Sequence, residues 1–433
     1  MEILETLSKK AEQAEVFYLE AESTEISFEA NELKAATVEE TRGLALRAVV
    51  DGRLGFAAAS GQAESEELVE NVLLSARYGD RVPLRFPGAA PAPQVQIYDP
   101  SLAEVPTERM AEVGHEIIDR LRQVDQDAKM NVDIERSVYR TLLRNSAGAQ
   151  VSEEGSSFSV SITVERVRGD DVLILYDSVE DISFSTNYRE LTSRLAKKIE
   201  LAKHPATLKA GRMPVLFAPA GGLVLLLPIL LGINGENVQR GTSPLSDKLG
   251  AALFDPQLNI WDDPTIPGRP HSYAYDDEGV PARRKAVISQ GRVESFLYDL
   301  KTAALQGTES TGNGSRGLFS PPSPSSSNIV IEAGDKPLRE ILREIPYGLL
   351  VEDVLGLGQG NAISGVFSNT LGLAYLIQDG EIIGRVKDVS IAGNIYQDLR
   401  QIAALSQERY WVYGHLYLPY ILLPELKVVT KAG

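Results

Sequence analysis

The chain has 433 residues, 43% of them hydrophobic and 24% charged, an ordinary composition for a soluble globular protein with room for two or three domains at roughly 150 residues each. With 60 acidic against 43 basic residues the net charge is -17, which disfavours binding to phosphate backbones. There is no cysteine, so disulfides, thiolate nucleophiles and Cys-based metal sites are excluded.

The opening "MEILETLSKKAEQAE" reads as an amphipathic helix with Leu4 and Leu7 on one side. It lacks the basic and then apolar layout of a secretory signal, and a cytoplasmic location is expected. "EVFYLEAES", "TEISFEANELK" and "GLALRAVVDGRLGFAAAS" read as antiparallel strands, with a turn at Asp51–Arg53. "ELVENVLLSARYG" returns to helical spacing, with Leu68, Val72 and Leu73 on one face and Gly79 as C-cap.

After a Pro/Ala-rich loop, "TERMAEVGHEIIDRLRQVDQ" predicts a helix capped by Thr107. Three strands follow, "VDIERSVYRTLLRNSAG", "AQVSEEGSSFSVSITVERV" and "DDVLILYDSVED", with a hairpin turn at Arg168–Asp170, and then the helix "YRELTSRLAKKIELAKH". Strands that succeed one another without crossover helices indicate an α+β fold. The polar segment "HPATLKAGRMP" divides an N-terminal domain of helices on antiparallel sheet, residues 1–205, from a β-rich C-terminal domain with hairpins and a buried helix, residues 210–433.

That buried helix is "LVLLLPILLGINGENVQRGTS", from Leu223. Its uninterrupted apolar part is about half of the ~20 residues a membrane span needs, and Pro228 breaks it. "KAVISQGRVESFLYD" and "LAYLIQDGEIIGRVKD" share a strand–Gly turn–strand layout and predict two similar hairpins. "TGNGSRGLFSPPSPSSSN" is a long loop, "DKPLREILREIPYG" a helix with Gly348 as C-cap, and "WVYGHLYLPYILLPELKVV" a buried strand or irregular core.

Few groupings offer chemistry. "HEIID", His115–Asp119, approaches the His-Glu-x-x-His zinc signature, but Asp119 stands where the second His belongs and the helix is richly charged, so these read as surface residues. No nucleophile elbow or P-loop occurs, and "GLGQGN" is not followed by the helix and acidic residue of a dinucleotide site. "YDDEGVPARR" reads as a solvated turn, with Arg283 and Arg284 near Asp276, Asp277 and Glu278, rather than as an acid/base pair.

Taken together, "GENVQRGTSPLSDKLG", "DDEGVPARR" followed by "ISQGRVESFLYD", "TGNGSRG" and the final "LPELKVV" resemble the TldD/PmbA family, in its PmbA (TldE) branch. The element order matches over nearly the whole chain. The resemblance implies one subunit of a two-subunit peptidase acting on unfolded or extended peptides, in peptide maturation and antitoxin turnover. The TldD branch of that family carries His-Glu-x-x-x-His just upstream of a segment like "GENVQRGTS", and a zinc-binding Cys near its C-terminus. Counting back without a gap from Gly241 places the first His on Leu226, the Glu on Leu227 and the second His on Leu231.

Leucine offers zinc no donor atom, and without metal or Glu nothing activates a water. Positions five apart lie roughly 500° around a helix and share a site only where it distorts or ends, as Gly232 suggests here. The resemblance therefore implies a subunit without catalytic residues or metal, with zinc in a TldD-like catalytic partner. Without that partner the sequence leaves a homodimer open. Peptide backbone would meet the Gly-rich stretches Thr311, Gly312, Asn313 and Gly314, and Gly356, Gly358 and Gly360. Two other readings stand beside it: a regulatory protein-binding module of the DNA gyrase modulator type without a role in proteolysis, and a metal-independent hydrolase using Asp277 and Glu278.

Overall fold

The computed structural model describes residues 2–61 and 65–430. The architecture is α+β and is organised by two sheets. The first holds β1 (Gln13–Glu29), β2 (Glu32–Val50), β3 (Arg53–Ser60), β4 (Lys129–Asn145), β5 (Gln150–Arg168) and β6 (Asp171–Asp181), all antiparallel in the order β3-β2-β1-β4-β5-β6. Helices α1 (Glu2–Ser8) and α2 (Ser65–Tyr78) cover the β2 end through Leu7, Leu68 and Val72. Helices α3 (Thr107–Val124) and α4 (Tyr188–Leu201) cover Phe28, Val132, Ile134, Val160 and Ile162.

Two expectations for the first half of the chain are corrected by the structure. The segments read as separate strands fuse into 17- and 19-residue strands, joined at Ala30 and Asn31, whose φ values of 49° and 78° mark a tight primed turn. Thr107 is the first residue of α3 rather than its cap, because Pro106 holds the preceding extended position.

The second sheet contains β7 (Gly211–Phe217), β8 (Ile260–Asp262), β9 (Lys285–Ser289), β10 (Arg292–Val293), β13 (Ile329–Ile331), β14 (Tyr347–Val354), β15 (Val366–Gln378), β16 (Glu381–Arg385), β17 (Val389–Asn394), β18 (Ala404–Val412) and β19 (Leu416–Thr430). The short strands β11 (Gly314–Ser315) and β12 (Ser323–Pro324) pair with each other. Because β19 pairs with both β17 and β7, the path β7-β14-β15-β17-β19 returns on itself as a closed ring. The helices of this half are α5 (Leu223–Ile233), α6 (Gly235–Gln239), α7 (Leu300–Gln306), α8 (Leu338–Arg343) and α9 (Ile395–Asp398).

Both faces of the ring are covered, which explains its continuous apolar strands. Val215 and Phe217 of β7 pack in the core shared with α5, whereas Leu216 packs in the core shared with α3 and α4; Leu349 and Val351 against Leu350 repeat the division in β14. Both predicted hairpins form, with Gln290–Gly291 and Asp379–Gly380 at positive φ in their turns. The tail is a hairpin of β18 and β19 whose register shifts between Leu405 and Arg409. Gly348 is not a helix cap: α8 ends at Arg343, and Gly348 lies in β14, where a Cβ would come within 2.8 Å of the Pro214 carbonyl oxygen. Among the described residues no helix is long and apolar enough to cross a membrane.

Candidate functional site

Helix α5 enters through Gly221 and Gly222, and a Cβ on Gly221 would come within 2.3 Å of the Val351 carbonyl oxygen, so the helix starts hard against β14. Pro228 sits inside it and removes the amide that would bond to the Val224 carbonyl. The helix ends one residue beyond the predicted Gly232. There "GENVQRGTS" supplies its cap: Asn237 Nδ2 donates to the Leu231 carbonyl at 2.9 Å, and Ser243 Oγ donates to that of Gly232 at 2.5 Å. Gly232 must be small, since a Cβ would meet Leu245 at 2.9 Å and the Tyr396 hydroxyl at 3.0 Å. That hydroxyl donates to the Pro228 carbonyl at 3.1 Å, tying α9 to the middle of α5.

Of the three positions assigned by counting, Leu226 is buried in the core, while Leu227 and Leu231 are half-buried. Leu227 faces an open groove of about 480 Å³. Val224, Leu227 and Pro228 form one wall, the loop Leu355–Gln359 another, and Val366–Thr370 of β15 the third. Gly356, Gly358 and Gly360 have φ of 70°, 77° and 75°, a left-handed course that lets the loop coil tightly beside Leu227. Strand β15 pairs with β14 only from Leu371 onward, so Val366–Thr370 pair with β17 on one side and turn their other edge toward the groove. The Thr370 carbonyl accepts from Leu355 N at 2.8 Å where the loop departs.

The loop Thr311–Gly314 lies elsewhere, and its polar groups are engaged. Asn313 is buried; its Nδ2 donates to Asp262 and to the Ser325 carbonyl, both at 2.9 Å, and its Oδ1 accepts from Thr311 Oγ1 at 2.8 Å. The Gly312 carbonyl accepts from the Tyr273 hydroxyl, and Gly314 N donates to Asp276 Oδ2. A Cβ on Gly314 would come within 2.5 Å of Glu278 Oε2. The two Gly-rich stretches thus do not share a site.

"YDDEGVPARR" is not a solvated turn. Asp276 and Glu278 are buried; Asp276 accepts from the Glu278, Val280 and Gly314 amides, and Glu278 is met by Arg47 from the other half of the chain rather than by Arg283 or Arg284. Arg47 of β2 forks onto both oxygens of Glu15 at 2.8 and 2.6 Å and reaches Glu278 at 2.5 Å. Arg316 reaches Glu15 at 2.8 Å and the Asp277 carbonyl at 2.6 Å. Burial opposes the charge of Glu15, but Arg316 and Arg47 outweigh it and hold the carboxyl below its ordinary range. Burial, with Glu278 alongside, pushes Asp276 well above the usual range. Arg284 instead stacks over Trp261 at 3.9 Å.

Above this cluster a polar cleft of about 200 Å³ is lined by Asp277, Glu153, Tyr139, His271 and a run of serines. Burial lifts Glu153 to about 7. Glu153 and Tyr139 escaped the sequence reading, as did Glu15 and Arg47. The one available signal was an arginine inside the apolar run "LALRAVV", which a buried ion pair explains.

His115 and Asp119 lie exposed on α3, with the His115 ring edge-on to Phe28 at 5.0 Å. Among the described residues no three His, Cys, Asp or Glu side chains are grouped as a metal site requires.

Residues 210–430 match the PmbA/TldA metallopeptidase C-terminal domain, and residues 14–76 match PmbA/TldA metallopeptidase domain 1. The fold superposes on the crystal structure of TldE from Thermococcus kodakarensis with a TM-score of 0.90 and 26% identity, over 99% of each chain. An uncharacterized protein of Methanocaldococcus jannaschii is 25% identical over 92% of each chain. A metalloprotease of Methanothermobacter thermautotrophicus is 33% identical, but over 40% of this chain and 38% of its own length.

Proposed function

This chain belongs to the PmbA/TldD metallopeptidase family, and from that premise we propose that it is the non-catalytic, TldE-like subunit of a cytoplasmic two-subunit zinc peptidase acting on unfolded or extended peptides. The observation that carries the reading is the wall of the α5 groove: Val224, Leu227 and Pro228 present only hydrocarbon to it. Zinc requires nitrogen, oxygen or sulfur donors, so Leu226, Leu227 and Leu231 do not fit the family's metal, and no step through zinc is assigned to this chain. The metal and the water-activating base would come from a TldD-like partner.

What this chain contributes is a surface for the peptide. The edge of β15 around Ser368, which β14 leaves unpaired beside the coiled Gly356–Gly360 loop, suits backbone pairing with an extended strand. Pairing of that kind reads extension rather than sequence and so favours peptides that are already unfolded.

The test is metal analysis and peptide hydrolysis, with the chain alone and mixed with a TldD-type protein. Hydrolysis only in the mixture, with zinc tracking the partner, is expected. Activity of the isolated chain would favour a self-sufficient hydrolase, and no activity in the mixture would favour a binding module outside proteolysis.

A further inference from the structure

A chain of net charge -17 gathers five cations around one small pocket, of about 150 Å³, at the seam between the β5–β6 hairpin and β16. Arg166, Arg168, Lys203, Arg385 and Lys387 line it, and Asp171 is the one carboxylate among the lining residues. Two of these cations are deeply placed, with Arg166 2% and Arg385 7% exposed. Such charges need counter-charge and full hydrogen bonding to sit comfortably in a folded protein.

They have it only in part, although Arg385 Nη2 also donates to the Val172 carbonyl at 2.7 Å. Asp171, itself partly exposed, is divided among three cations: Arg166 at 2.8 Å, Arg385 at 2.9 Å and Lys387 at 3.2 Å. Asp125 is divided between Arg166 at 3.5 Å and Arg168 at 2.8 Å. Asp127 binds Arg168 and Glu200 binds Lys203 at the periphery. Among the described residues, five cations therefore meet four carboxylates. The Nε atoms of both Arg166 and Arg385 are buried without a hydrogen-bond partner among the described residues. Burial, working against Asp171, holds Arg385 below the usual guanidinium range, as expected where positive charge is under-compensated.

We propose that this pocket binds a phosphate group. Its chemistry is that of a tetrahedral oxyanion: guanidinium forks below, and flexible ammonium groups at the rim that can turn to meet several oxygens. Its volume admits phosphate or the phosphate end of a small monoester. It lies apart from the α5 groove, shares no residue with it, and stands or falls independently of the peptidase reading.

The full chain is titrated calorimetrically with inorganic phosphate and, separately, with glycerol phosphate, in chloride buffer of constant ionic strength. Saturable one-to-one binding in at least one arm is expected. Tighter binding of inorganic phosphate identifies the free ion as ligand, and tighter binding of glycerol phosphate identifies a phosphomonoester. Lys387→Glu and Arg168→Glu, both at solvent-accessible rim positions, should each weaken binding by about tenfold or more while leaving the circular dichroism spectrum unchanged. Heats equal to the chloride control in both arms, or affinity unaltered in whichever of the two variants folds normally, overturns the proposal.

Discussion

Arg47 and Glu278 meet at 2.5 Å, joining β2 to a turn 231 residues further along the chain, and neither side chain is more than 1% exposed. Removing the guanidinium would leave buried Glu15 with Arg316 alone and take from buried Glu278 the cation that pairs with it. Arg47→Ala is expected to cost about 3–5 kcal/mol, the usual result of breaking a buried pair from one side. Urea unfolding gives the measurement, and a midpoint matching the unaltered protein would contradict the assignment.

Glu153 should make stability fall with rising pH. Its folded-state pKa, lifted by burial to about 7, lies above the ordinary carboxylate value, so the folded protein holds the proton more tightly than the unfolded chain. Stability contributed by the protonated carboxyl is present below about pH 4.5 and is lost progressively up to about pH 7. Glu153→Gln should flatten that part of the profile and raise stability at pH 8 by up to about 3 kcal/mol. Denaturant titrations at pH 5 and pH 8 for both proteins would reveal it, and parallel profiles would refute it.

The capping role of "GENVQRGTS" predicts a local loss of stability. Ser243→Ala strips the Gly232 carbonyl of its buried donor, and Asn237→Ala does the same for Leu231. Each should cost about 1–3 kcal/mol. Amide exchange around Ile233 to Asn237 should quicken in both variants, and unchanged protection there would argue against the cap.

Leu226 and Leu227 should separate stability from function. Leu226→Ala empties a core position and should cost about 2–5 kcal/mol. Leu227→Glu alters the groove wall and should leave the fold intact, yet lower kcat/KM for peptide hydrolysis by the reconstituted pair by about tenfold or more, because a carboxylate would intrude on the path of the peptide. Equal hydrolysis rates with and without that substitution would remove the groove from the function.

Much of this was legible in the sequence. Apolar runs with "DG" and "QG" turns marked the hairpins, because a two-residue primed turn needs residues that accept positive φ. The apolar opening of α5 announced burial on all sides. The fusion of "EVFYLEAES" with "TEISFE" into one strand, and the turn inside "EANELK" that starts the next, were not legible, since nothing local distinguishes polar residues on the solvent face of a long strand from a turn. The fate of Asp276, Asp277 and Glu278 was equally hidden. A run of acids is a surface signature unless cations arrive from elsewhere, and Arg47 and Arg316 arrive through tertiary structure.

The reach of Glu15 to Arg316 spans 301 positions of sequence. At about 5–20 residues per second, a ribosome needs on the order of 15–60 s to deliver the second partner after the first. Once β6 has been made, and until Glu278 and then Arg316 emerge, the nascent six-stranded sheet holds an acid paired with Arg47 but lacking Arg316, and a guanidinium lacking its second carboxylate. Early collapse of the leading half into a finished unit is thereby discouraged, and completion is deferred until the trailing half arrives to neutralise it.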